Sequence, residues 1–180
     1  MSEPPPRRRP RAARRSPVRV VVSVPDRAWL RDLPRAPALC RAATRAALGH
    51  LGRAVPEGEI GIVLAGDAFV RGLNRRHRGK DKPTNVLSFP GLDRATPRPP
   101  AKIPLLLGDV VLARGTVLRE AAAGGKKPSH HLSHLVVHGV LHLFGHDHQS
   151  DAEARRMERL ERKSLASLGI PDPYADPASA

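Results

Sequence analysis

Two hydrophobic periods alternate along this chain, and together they predict a layered fold. Val18–Val24 is a run of β-branched residues, the composition of a first strand. Pro37–Leu51 changes to helical spacing, with Leu39, Cys40, Ala43, Ala47 and Leu51 along an apolar stripe. Glu59–Leu64 returns to the alternation of a strand, and Asp67 is placed to cap a short helix reaching about Arg76. A polar loop, Arg78–Asn85, leads into a short strand at Val86–Phe89. The proline-rich stretch 91–102 reads as an exposed connection, and Pro104–Leu112 as a fourth strand carrying Gly108 and Asp109. Helical spacing resumes over about Gly115–Ala123, breaks at Gly124-Gly125, and restarts after Ser129, a residue suited to a helix cap. The inner face of that helix offers Leu132, Leu135, Val136 and Leu143. Ser150-Asp-Ala-Glu153 is a capping box that opens a last amphipathic helix. The sum is an α+β protein: a small mixed sheet of about four strands packed with about five helices in a metalloprotease-like layer fold.

The two ends fall outside this pattern. Residues 1–16, rich in proline and arginine, read as a disordered basic tail; 17–174 form one domain, and 175–180 a short polar tail. No apolar run follows the early arginines, so no cleavable signal peptide is expected. None approaches the ~20 residues of a membrane helix either. The single cysteine, Cys40, has no internal partner, which fits a reducing, cytoplasmic location and a small buried hydrophobe. Formal net charge is +14, and the first 19 residues supply seven arginines against one glutamate. A field of that sign attracts a polyanion, and RNA is the obvious class, although a compositional bias toward arginine, alanine and proline explains part of the excess. Only 3% of residues are aromatic, too few for a base-stacking sheet, so phosphate contacts and shape must hold any RNA.

The densest chemistry lies between His130 and His148, which contain seven of the nine histidines. His138 and His142 are four apart, one turn above each other on the same helix face. Gly145 allows the backbone to reverse and return His148 toward them. Three imidazoles with no fourth ligand in view describe a catalytic zinc site that keeps one position open for a metal-bound water. The spacing matches the metzincin frame H-E-x-x-H-x-x-G-x-x-H, except that Gly139 stands where a protease keeps its general-base glutamate. Hydrolysis of a bond other than a peptide is therefore expected.

Several segments together resemble the YbeY endoribonucleases, which act in ribosomal RNA maturation. They are Leu73-Asn74, the run Arg78-Gly-Lys80-Asp81-Lys82-Pro-Thr84-Asn85-Val-Leu-Ser88-Phe-Pro90, Leu107-Gly-Asp109-Val110, the histidine motif, and Met157-Glu158 with the Leu168-Gly169…Pro173-Tyr174 tail. The resemblance implies one Zn2+ on His138, His142 and His148 and cleavage of single-stranded RNA. It further implies a part in 16S ribosomal RNA 3′-end maturation and ribosome quality control, with the small ribosomal subunit or its assembly factors as partners and no membrane. Arg78 becomes the candidate for gripping the scissile phosphate, because a planar guanidinium matches two phosphate oxygens. Its bland alternative is an ion pair with Asp81 or Asp109. Lys80 and Lys82 are expected to face RNA. Asp109, His134 and Asp147 are candidates for orienting the ligands from behind, or simply for satisfying turns and helix packing. Asp81, Thr84, Asn85 and Ser88 are expected to shape their loop through local hydrogen bonds. The chain departs from the family at His77 and His146, where tyrosine is usual. His146 lies between two ligand candidates, and spacing favours His148 as the third. Two other classes stay open at this point: an assembly factor with a structural zinc, and a metallopeptidase, disfavoured by Gly139.

Overall fold

The computed structural model describes residues 18–52, 55–91 and 103–175. The basic tail, the 92–102 connection and residues 176–180 lie outside them. Strand β1 (Val18–Ser23) pairs in parallel with β2 (Gly58–Ala65), β2 in parallel with β4 (Leu106–Ala113), and β4 antiparallel with β3 (Val86–Pro90). The order β1-β2-β4-β3 makes the expected mixed four-stranded sheet. Among the described residues six helices accompany it: α1 (Ala28–Asp32), α2 (Ala36–His50), α3 (Asp67–Arg78), α4 (Arg114–Ala123), α5 (Pro128–Leu143) and α6 (Asp151–Ala166).

The extra helix, α1, has five residues, too few to display a hydrophobic period in the sequence. It exists because Trp29 is fully buried and donates its indole N–H to the Ala65 carbonyl at 3.0 Å. Asp26 closes its start by accepting from the Ala28 N–H at 3.0 Å, and Arg114 pairs with both Asp26 and Asp32. That arginine partner holds the Asp26 carboxyl below its ordinary range.

Two expected caps move. Gly66, not Asp67, precedes α3, and the Asp67 carboxylate instead accepts from the Thr116 N–H and from Arg119 across the α3–α4 contact. Lys127 precedes α5, with Pro128 at its first position, where proline's missing N–H costs nothing. Ser129 sits inside that helix and its carbonyl accepts from Ser133 Oγ. The Ser150–Glu153 capping box forms as expected, each side chain meeting the other's backbone N–H.

Helix α5 is the centre of the domain. Leu132, Leu135, Val136, Val137, Val140, Leu141 and Leu143 are all buried, because α2, α6 and strands β3 and β4 pack around it. Cys40 on α2 is part of the same core, and burial pushes its thiol up to about 12. Helix α3 covers the other sheet face through Val70, which joins Leu87 and Val111 in a smaller cluster. Among the described residues no helix is long and apolar enough to cross a membrane.

Gly139 marks the closest approach of α5 to the sheet. A Cβ there would lie 2.6 Å from Val110 Cγ1 and 3.1 Å from Ser88 Oγ. Ser88 Oγ donates to the Gly139 carbonyl at 3.0 Å, which fixes this contact from the strand side. Gly139→Ala gains about 1 kcal/mol of helix propensity, against about 1–3 kcal/mol for overpacking a filled core. With the fully buried Val110 blocking retreat, the steric cost prevails. Urea denaturation of Gly139→Ala is expected to show a loss of about 1 kcal/mol or more, and Gly139→Glu a larger one; an unchanged or raised midpoint contradicts this packing.

Candidate metal centre

A buried helix can carry polar side chains only where its surface meets solvent. On α5 the partly exposed His131, His134, His138 and His142 form one stripe, at spacings of three and four residues, with Ser129 and His130 open at the helix start. His138 and His142 bring their Nε2 atoms to 3.1 Å of each other, with ring centroids 4.6 Å apart. The helix then ends in a Schellman motif: the His146 N–H reaches the Leu141 carbonyl at 3.1 Å and the Gly145 N–H that of His142 at 3.0 Å. Gly145 takes φ +76°, the left-handed conformation this cap requires. The chain turns back, and His148 arrives with its ring 5.3 Å from His142 and 5.8 Å from His138.

One nitrogen from each of His138, His142 and His148 lies within 4.8 Å of the others, and this trio is the group of mutually close donors found among the described residues. Two nitrogens held at about 2.0–2.1 Å from one tetrahedral ion would sit roughly 3.3 Å apart. The observed 3.1 Å pair fits that requirement. The donor chemistry fits as well. Burial first, and then the neighbouring His138 and His148, hold the His142 imidazole down at about 4, so it is neutral and available as a ligand at cellular pH. These three residues can hold a metal. His146 lies outside the trio.

The trio opens onto a cleft of about 500 Å3. Arg78, at the end of α3, lines the same cleft, although it is sixty residues away from His138 in sequence. Neither of its alternative ion pairs forms. Asp81 is taken by Arg71 in a two-pronged pair with both bonds at 2.8 Å. Asp109 faces the opposite side of β4, where its Oδ1 occupies the space a Cβ on Gly61 would need, 2.0 Å away. That orientation also separates Asp109 from the histidines. Lys80 and Lys82 are exposed on the loop that the Arg71–Asp81 pair ties to α3, outside the cleft lining. The Lys82 carbonyl accepts from Asn74 Nδ2 at 2.7 Å, a further staple of the loop.

Asn85 and Ser88 line the cleft with hydrogen bonds already made inside the domain. Asn85 Oδ1 accepts from the Val86 N–H at 2.7 Å and its Nδ2 donates to Glu120 at 3.0 Å, while Ser88 binds the Gly139 carbonyl. These bonds fix the wall of the cleft. Asp147, the one carboxylate in the lining, accepts from the His148 N–H at 2.8 Å and from Gln149 at 2.6 Å. These hydrogen bonds hold its carboxyl below the ordinary range and fix the loop that presents His148. His77 packs edge-on against Phe89 of β3, ring centroids 5.1 Å apart.

Glu161 was not evident as a site residue in the sequence. It is fully buried on α6 and receives His138 Nδ1 at 2.7 Å, His134 Nε2 at 3.1 Å and the Tyr174 hydroxyl. Burial acts to raise its carboxyl, but the three donors outweigh that and hold it at about 2. A signal was present: Met157, Glu161 and Leu165 form one helical stripe, so a carboxylate occupies a core position between two apolar residues. His134 therefore belongs behind the trio, reaching it through Glu161.

Fold and site together make a layered α/β domain whose three converging imidazoles can hold a metal and open onto a cleft that an arginine lines. The family model described as Endoribonuclease YbeY matches residues 34–169. A relative named Endoribonuclease YbeY from Azorhizobium caulinodans is 56% identical over 158 residues, covering 87% of this chain and 96% of that one. Relatives of the same name from Paramagnetospirillum magneticum and Rhodospirillum rubrum are 51% and 49% identical, covering 88% and 89% of this chain and 97% and 83% of theirs. The chain belongs to the endoribonuclease YbeY family. A solution structure from Thermotoga maritima overlaps 89% of this chain and 97% of that one at 20% identity and a TM-score of 0.49.

Removing a true ligand and removing its neighbour should differ sharply. His148→Ala is expected to weaken binding of a divalent metal ion roughly 100-fold or more, a larger loss than the 10–100-fold typical of residues behind a ligand. His146→Ala should stay within a few-fold of the unmodified chain. Competition with a chromophoric chelator measures both, and the reverse ranking would displace His148 from the trio.

Proposed function

We propose that this protein is a zinc-dependent endoribonuclease that cuts single-stranded regions of ribosomal RNA precursors. The observation that carries the reading is Arg78 beside the His138–His142–His148 trio in one open cleft. One Zn2+ on the three histidines is the natural occupant of an all-imidazole donor set. When bound, it supplies Lewis acidity toward a phosphoryl oxygen and lowers the pKa of a water to about 7.

The chain's own residues do the rest. Arg78 grips the scissile phosphate, positions it over the trio and offsets charge that builds on its oxygens. Lys80 and Lys82, exposed beside the cleft, attract the flanking backbone; their contribution is sequence-independent and falls with salt. The excess of positive charge over the whole chain acts in the same direction. Asp147 keeps the His148 loop in place by accepting from the His148 N–H and from Gln149. Maturation of the 16S 3′ end, ribosome quality control, association with the small subunit and a cytoplasmic location follow as the setting of this activity.

The alternatives lose support on specific grounds. A peptidase needs its base at position 139, and a side chain there would enter Val110 and Ser88. A closed structural zinc needs a fourth protein ligand, and the donor group among the described residues consists of three.

His142→Ala is expected to abolish both zinc uptake and cleavage of a single-stranded ribosomal RNA fragment. Arg78→Ala should lower the cleavage rate by about 10²–10³-fold while zinc uptake stays unchanged. Cleavage that persists in His142→Ala, with contaminating nucleases excluded, would overturn the proposal; so would cutting of unfolded polypeptide by the unmodified chain in place of RNA.

A further inference from the structure

We infer that Glu161 is a positioning residue for the metal: it fixes which nitrogen His138 presents, and it links that ligand to the C-terminal turn through Tyr174. The inference rests on the metal reading above and extends it to residues that the ligand set does not contain.

A carboxylate only accepts hydrogen bonds. With Glu161 Oε1 at 2.7 Å from His138 Nδ1, the proton of a neutral His138 belongs on Nδ1. Its Nε2 lone pair is then left facing His142, 3.1 Å away. A histidine that donates its far N–H to a carboxylate is held in one tautomer and one ring orientation, and is a stronger ligand for it. Glu161 is suited to this because it cannot move: it is fully buried between Met157 and Leu165, and its other oxygen is occupied. An ion at such a place is costly to bury unless each oxygen is satisfied. Here His134 and the Tyr174 hydroxyl converge on Oε2.

Tyr174 is itself held from two sides. Its backbone N–H donates to Asp172 Oδ1 at 2.9 Å, and Arg162, which pairs with the same Asp172 at 3.0 Å, lies 5.0 Å over its ring. The His134 ring stands edge-on to Tyr174 at 5.6 Å, which closes the group. The C-terminal turn is thereby latched to α6, and through Glu161 to a ligand on α5. Burial and the neighbouring carboxylate raise the Tyr174 phenol, so it stays a donor throughout the physiological range.

A merely structural Glu161 would staple α6 to α5 and leave zinc untouched. Two readouts on the full chain separate the cases: zinc affinity by chelator competition, and the His138 tautomer from nitrogen–proton correlation spectra of the metal-free protein. The unmodified chain should show His138 protonated at Nδ1. Glu161→Gln should lose that fixed tautomer and bind zinc 10–100-fold more weakly. Tyr174→Phe removes one hydroxyl and tests the link even if Glu161→Gln does not fold; a several-fold weaker zinc affinity is expected. An unchanged zinc affinity in Tyr174→Phe, or a Glu161→Gln that melts earlier yet keeps the tautomer and the affinity, overturns the inference. An unmodified chain that takes up no zinc defeats the metal reading itself, a result distinct from normal uptake with indifferent variants.

Discussion

Contact between α5 and the sheet at Gly139 is the constraint from which the rest of the site follows. With no side chain at 139, the helix settles against Val110 and Ser88, and Leu132, Leu135, Val136 and Leu143 on the same face are carried into the core. The polar stripe then emerges to one side of this contact, toward α6 and the cleft that β3 also lines. His138 and His142 face outward for that reason, and the Schellman turn at Gly145 returns His148 to them. The absence of a glutamate between the histidines is thus a packing requirement as well as a chemical statement. The same glycine that seats the helix removes the position from which a peptidase base would act.

Behind the trio the domain uses charge where a core would ordinarily use hydrocarbon. Glu161 sits on the buried stripe of α6 and is tolerated because three donors converge on it. In front, the loop from α3 to β3 is fastened by Arg71–Asp81, Asn74–Lys82 and Asn85–Glu120. These contacts engage residues whose types alone could suggest catalysis, and leave Arg78 as the cation facing the cleft. On the proposed reading, a phosphodiester in this cleft would meet the Arg78 guanidinium and the three imidazoles, the two needs of phosphoryl chemistry.

Much of this was legible in the sequence, because it depends on local pattern. The four strands and five of the six helices follow from periodicity, and the Ser150 capping box from two residues three apart. The trio was legible because its members lie within eleven residues of one another on one helix and its cap. What escaped depends on contacts distant in sequence. Helix α1 is held by Trp29 reaching Ala65, 36 residues on. Asp67 left its cap position for Thr116, 49 residues away. Asp109 reads as a polar residue in a metal-site motif, and only the strand's alternation decides that it points away. Glu161 meets His138 across 23 residues, and its one local signal was a charge in an apolar stripe.

X-ray absorption at the zinc edge of the metal-loaded protein bears most directly on the whole account. Three nitrogen neighbours at about 2.0–2.1 Å with imidazole scattering, plus one light oxygen neighbour that RNA or phosphate perturbs, is the predicted spectrum. Four protein-derived neighbours insensitive to RNA, or a metal bound without imidazole signatures, would contradict an open three-histidine centre built on α5.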